Sequence, residues 1–193
     1  MNWKTGMKPN LALKNLLHKQ KAAPAWLDQV AIRLAEHSDL PALEWNGEFQ
    51  HFRKVYADAY QRMERGMTLI WVAEWPADEI AGQVFIQLVC DRPELADGVE
   101  RAYLYSFRVR PQYRSQGLGS RIMDVVEGDL RDRGFQYVTL NVARDNARAQ
   151  HLYIRRGYRV VAPEAGIWSY PDDKGNWRRM EEPAWRMEKT LTR

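Results

Sequence analysis

The densest chemical signal in this chain is the run Arg110-Pro111-Gln112-Tyr113-Arg114-Ser115-Gln116-Gly117-Leu118-Gly119-Ser120-Arg121. Glycines at 117 and 119 remove side chains where an amphipathic segment begins, so backbone N–H groups can approach a ligand closely. The first turn of any helix has unpaired N–H donors and a partial positive charge. Such a turn suits a pyrophosphate. Arg110, Arg114 and Arg121 are expected to add full charge at the same place. A plain glycine-rich tight turn is the competing reading, and the clustered arginines weigh against it. A P-loop is excluded, because no Gly-Lys-Ser/Thr closes a longer loop. A dinucleotide fingerprint fails as well. Ile122 stands where a third Gly or Ala is needed, and seven residues separate Val109 from Gly117.

Other candidate groups carry less. Cys90 is the one cysteine, so no disulfide forms within the chain; it reads as a packed thiol rather than a nucleophile. Eight Trp is many for 193 residues; most read as core filling, some as pocket lining. Ala165 to Pro183 carries Trp168, Tyr170, Trp177, Asp172, Asp173, Glu181 and Glu182 about a hairpin tip at Asp173-Lys174-Gly175. It reads either as a flap suited to a cationic amine or as a hairpin packed on its own sheet. Residues Met1 to Ala23 hold five lysines and no acid. They predict a basic arm over 1–25, either loosely docked or a contact surface, ahead of one domain over 26–193. A formal charge of +4 is too mild to argue for nucleic acid. No apolar run reaches the length of a membrane span and the N-terminus lacks an apolar signal core, so the cytoplasm is the default expectation.

The elements that must position the glycine loop follow from hydrophobic period. Val30 to Leu34 predicts a short strand, and Ser38 or Asp39 caps a short helix through Leu43. Val55, Tyr56, Ala59, Tyr60 and Met63 place a helix over Phe52 to Arg65, ended by Gly66. Thr68 to Glu74 and Ile80 to Val89 predict an antiparallel hairpin. Arg101 to Val109 is apolar or aromatic on nearly both faces, as a central strand would be. Leu118, Ile122, Val125, Val126 and Leu130 form one stripe of a helix over Gly117 to Arg133. A strand over Tyr137 to Val142, a helix over Asn146 to Arg156, and strands over Tyr158 to Val161 and Trp185 to Leu191 follow. The crossover from Val109 to Tyr137 predicts parallel neighbours with a right-handed connection. The expectation is an α/β domain with a mixed, mostly antiparallel central sheet flanked by helices.

Arg114-x-x-Gly117-x-Gly119 resembles the Arg/Gln-x-x-Gly-x-Gly/Ala signature of the GNAT family of acyl-CoA-dependent N-acetyltransferases. The context matches as well. The signature follows a strand ending Phe107-Arg108-Val109-Arg110-Pro111 and opens an amphipathic helix. Asn146-x-x-Ala149-x-x-Leu152-Tyr153-x-x-x-Gly157-Tyr158 resembles the family's second helix. The likeness runs from about Val30 to Leu191 and is strongest from Tyr103 to Tyr158.

The resemblance implies that the central strand and the strand after the glycine helix splay apart, with acetyl-CoA in the gap. The backbone of Phe107 and Val109 would then bond the pantetheine arm. Arg114, Ser115, Gln116, Gly117, Leu118, Gly119 and Ser120 would hold the pyrophosphate. Asn146 would bond the pantetheine, and it also suits a helix N-cap; both readings can hold together. A backbone N–H near Phe107 would stabilise the oxyanion. Tyr153 stands at the family's position for a general acid toward the leaving sulfur, or shares a packed helical face with Leu152. Where some members carry a basic Glu, this chain has Tyr105 and Asn141, so Glu74, Glu100 or a water chain must be considered. No metal is expected. The implied partner is a small-molecule or peptide amine, and a homodimer is compatible with the reading. The alternative function is a sensor or interaction module that binds acetyl-CoA with little catalysis.

Overall fold

Alternating apolar residues build the centre of the molecule. The computed structural model describes residues 23–191 apart from Ala77; the basic arm expected over 1–25 lies almost wholly outside these. β1 (Ala31–Leu34), β2 (Thr68–Glu74), β3 (Ile80–Gln87), β4 (Arg101–Val109), β5 (Tyr137–Ala143), β6 (Arg159–Glu164) and β9 (Ala184–Thr190) form one seven-stranded sheet. Its order is β1-β2-β3-β4-β5-β9-β6, and β7 (Ile167–Pro171) pairs with β8 (Trp177–Glu181) as a separate hairpin. Every neighbour in the large sheet is antiparallel except β4 and β5, which run parallel. β4 is thus the central strand that its two-sided apolar pattern predicts.

Among the described residues three α-helices cover the sheet: α1 (Arg53–Glu64), α2 (Leu118–Asp132) and α3 (Ala147–Arg155). Side-chain alternation sends Leu69, Trp71 and Ala73 of β2 to the face packed by Leu118, Ile122, Met123, Val126 and Leu130 of α2. Ile70 and Val72 go to the other face, against Tyr56 and Ala59 of α1. Each large side chain so buried contributes about 2 kcal/mol. Among the described residues no helix is long and apolar enough to cross a membrane.

Three expectations shift. The short helix near Ser38 is a 3-10 helix over His37–Glu44 with Pro41 inside it, and Glu36, not Ser38 or Asp39, is its N-cap. Asp39 sits three residues on, where its carboxylate accepts the Glu36 N–H at 2.7 Å. Arg33 donates to it at 2.7 and 3.0 Å and holds it below the usual carboxylate range. β3 ends at Gln87, because Val89 bridges to Asp97 instead. Cys90 therefore lies in a turn outside both cores, half-buried, its thiol 3.2 Å from the Arg92 carbonyl. The strand expected over Tyr158 to Val161 begins at Arg159, and Tyr158 turns into the core.

One buried carboxylate ties the helical side together. Glu127 of α2 is 3% exposed and accepts from Arg156 at 2.9 Å, from Lys189 of β9 and from the Tyr158 hydroxyl at 3.2 Å. Without Glu127, Arg156 keeps Asp124 as a carboxylate partner, whereas Lys189 loses the carboxylate it has among the described residues. Glu127→Ala should therefore cost about 3 kcal/mol of folding stability, read as a lower urea midpoint at unchanged m-value. A loss below about 1 kcal/mol would show that the network does not hold the fold.

Candidate active site

The site begins with a defect in β4. Gln83 of β3 faces Arg108 and Phe85 faces Tyr105, so Ser106 and Phe107 stand opposite Val84 alone. This is a β-bulge, with Ser106 in the left-handed region at φ 51°. Beside it the parallel pair parts. β4 and β5 pair only from Arg101–Tyr137 to Leu104–Leu140, whereas β4 runs on to Val109. Beyond Leu140, β5 keeps only β9. The splay that the family resemblance implies is present. Two cavities open along the unpaired length, and Arg108 lines both.

The first cavity, about 830 Å³, lies between the end of β4, the glycine loop and α3. Phe107, Val109, Arg114, Ser115, Gly117, Gly119, Ser120, Asn146 and Tyr153 line it. Leu118 and Gln116 do not: Leu118 is fully buried in the core, and the Gln116 amide donates to the Gln112 carbonyl at 2.6 Å. Each still has a backbone N–H in the loop or first turn. Gly117 is the N-cap of α2 at φ 100°, and with no side chain it leaves the first-turn amides without a side-chain cap. A Cβ there would also come within 3.0 Å of Leu27. At Gly119 a Cβ would meet Phe107 at an ordinary 3.5 Å. α3 contrasts with α2, since Asn146 Oδ1 caps the Ala149 N–H at 3.1 Å.

The loop arginines do not all converge. Arg114 lines the cavity and donates to the Val109 carbonyl at 2.6 Å. Arg110 turns away to the Ile80 carbonyl at 2.7 Å and lies over Trp45, and Arg121 is held by Leu27 and Asp28. Their expected places are taken by Arg148 and Arg155 of α3, which line the cavity; Arg148 donates to the Ser115 hydroxyl at 3.0 Å. Arg148, His151, Leu152 and Arg155 recur at i, i+3, i+4 and i+7, a helical face legible in the sequence outside the glycine loop. Tyr153 is 6% exposed and meets Tyr158 edge-on at 5.6 Å. Burial pushes its phenol well above the ordinary range.

The second cavity, about 1250 Å³, is walled by aromatic rings. Tyr103 and Tyr105 stack on β4 at 5.9 Å. Burial pushes Tyr103 up to about 12 and raises Tyr105 as well. Trp168 and Tyr170 of the β7–β8 hairpin pack on Phe52, at 6.2 and 4.8 Å. The hairpin pairs with itself as a separate two-stranded sheet, and its aromatic residues also wall this cavity. Its acidity is mostly used elsewhere. Asp172 is 2% exposed and binds the turn through the Lys174 and Asn176 amides at 3.0 and 2.8 Å.

Neither suggested carboxylate base is near. Glu74 is bound to Arg33 at 2.9 Å, and Glu100 accepts from Gln136 at 2.9 Å at the paired end of β4. Neither lines a cavity. Tyr105 and Asn141 do line the second one, and Asn141 Oδ1 is buried without a partner among the described residues. The carboxylates that line it are Asp58, Glu164 and Glu182, of which Glu164 is bound to Arg92 at 2.8 Å.

Comparison with known proteins agrees with this geometry. The model of the acetyltransferase (GNAT) family matches residues 31–158. A mycothiol acetyltransferase of Propionibacterium freudenreichii is 31% identical over 70 residues, 36% of this chain; the match spans only 22% of that protein. Among solved structures, the ribosomal-protein-S18-alanine N-acetyltransferase of Escherichia coli has a TM-score of 0.63 at 24% identity, covering 85% of this chain and 95% of that one. The spermidine/spermine N-acetyltransferase SpeG of Vibrio cholerae has a TM-score of 0.64 at 16% identity, covering 86% and 95%. At these identities the structures speak to fold alone. The family match covers well over half of the chain, and with the splayed strands and the glycine loop beside them it places this chain in the GNAT acetyltransferase family.

Proposed function

We propose that the chain transfers an acetyl group from acetyl-CoA directly to an amine. The observation that carries this reading is the side-chain-free cap of α2, whose first-turn amides stand beside the cavity lined by Arg114, Arg148 and Arg155. Uncapped amides, a helix dipole and three guanidinium groups suit a diphosphate. In this reading Arg114 to Ser120 hold the diphosphate, the unpaired edge of β4 at Phe107 and Val109 bonds the pantetheine, and Asn146 adds a side-chain contact.

The acceptor enters from the second cavity. Its neutral amine attacks the thioester carbonyl, the C–N bond forms, and the C–S bond breaks. The amine proton leaves through water, since Glu74 and Glu100 are engaged elsewhere. A backbone N–H near Phe107 would stabilise the oxyanion. Tyr153 donates a hydrogen bond to the departing thiolate. Its raised pKa makes full proton transfer to a thiol near 8.5 uphill by more than about 2 kcal/mol, which favours hydrogen bonding over complete transfer. Tyr105 and Asn141 in place of a carboxylate favour the second reading, a binding module. Thiol release from acetyl-CoA across amines, peptides and polyamines separates the two: binding without turnover on every acceptor selects the module.

Three outcomes are expected. Tyr153→Phe should lower kcat by at least about tenfold, with acetyl-CoA affinity by calorimetry unchanged; unaltered turnover rejects the donor role. A group whose pKa is raised keeps its proton as pH climbs, so kcat should show no alkaline decline from Tyr153 below about pH 10. A decline in the wild type that vanishes in Tyr153→Phe would contradict this. Gly117→Ala is strained at φ 100° and should weaken acetyl-CoA binding by about tenfold, whereas Gly119→Ala should weaken it less. Equal effects would show that the Gly117 backbone does not shape the diphosphate site.

A further inference from the structure

We propose that Arg108 binds an anionic group of the acceptor, so that the acceptor is a small molecule carrying both an amine and a carboxylate, of the amino-acid class. The inference rests on the transfer reading and names the acceptor for that same site.

The residue follows the β4 bulge, where alternation turns it from α2 toward α1. Its neighbour Phe107 packs on the α2 side, near Gly119. Arg108 Nη1 donates to the Tyr56 hydroxyl at 3.1 Å and to Ser106 Oγ at 2.8 Å. The guanidinium lies over Phe49 at 4.2 Å and Phe52 at 5.2 Å, so its plane is fixed from two sides. Nε and Nη2 find no acceptor among the described residues, and no carboxylate there comes within 4.0 Å of the group. Arg33, Arg53, Arg92, Arg101, Arg156 and Arg178 all have such a partner. Glu48 and Glu182 act on Arg108 only from farther off, and burial pulls its pKa down.

A half-buried charge in a fixed plane, with one edge unused, matches the two oxygens of a carboxylate. Arg108 lines both cavities, so an anion on that edge would sit beside the point where the strands part. The amine that attacks there is then a few bonds from the carboxylate. A polyamine would instead bring a second cation against Arg108. Of the hairpin's acids Asp172 is turned into its own tip, which leaves Glu182 and, from α1, Asp58 as the carboxylates on that wall not bound to Arg92.

The test uses the full chain, acetyl-CoA, the common amino acids, their carboxamides and spermidine. Thiol release should favour at least one free acid over its carboxamide by about 10- to 100-fold in kcat/KM. In Arg108→Met that preference should disappear through KM, and Arg108→Lys should restore part of it. Carboxamides or spermidine accepted as well as the acids would overturn the proposal, as would a drop in kcat on all acceptors alike in Arg108→Met. Calorimetry of the same pairs on the protein loaded with coenzyme A reads the contact without turnover. Acid-selective binding that Arg108→Met abolishes upholds the Arg108 contact even where no thiol is released, a result that rejects the transfer reading alone. No acid-selective binding anywhere in the panel overturns the contact.

Discussion

A parallel strand pair that stops while both strands continue is the constraint on which the site depends. Backbone N–H and C=O groups inside a protein must find partners, and β4 loses those of β5 after Leu104. The bulge at Ser106 and Phe107 accompanies that parting on the other side, against β3. It also shifts the strand's alternation by one residue, so that Phe107 faces the glycine helix and Arg108 faces α1. The two cavities are thus two sides of one irregularity, and a residue just past it belongs to both.

Electrostatics divides along the same line. The first cavity gathers Arg114, Arg148 and Arg155 around uncapped helix amides. The second is built of stacked rings, with Asp58, Glu182 and an arginine-bound Glu164 in its lining. A polyanionic carrier and a smaller, partly aromatic or zwitterionic acceptor would each find one side congenial. Neither side has to compromise, because β4 stands between them.

Much of this was legible in the residues. Period alone placed β2, β3, β4 and α2 within a few positions, because each buries a regular stripe. The glycine loop was legible because its chemistry is local: glycines, a helix start and their spacing occupy adjacent positions. Long-range matters were not. Arg110 and Arg121 turn away because Ile80, Leu27 and Asp28 wait for them from distant segments, and nothing in the loop announces that. Glu74 and Glu100 looked eligible as bases until the fold paired them with Arg33 and Gln136. In the sequence Arg108 is only part of a strand ending, and its unshared guanidinium edge emerges once Tyr56, Phe49 and Phe52 surround it.

The carboxylate of Glu127 has a mechanical consequence. It joins the body of α2 to Arg156 just after α3 and to β9. The helix start that would grip the diphosphate and the helix that carries Tyr153 are therefore mounted on one stiff frame. Such a frame would work as a caliper, holding the two ends of a bound carrier at a set span. A truncated thioester lacking the nucleotide would touch one jaw only, and would forfeit the gain in effective concentration that a two-point hold confers.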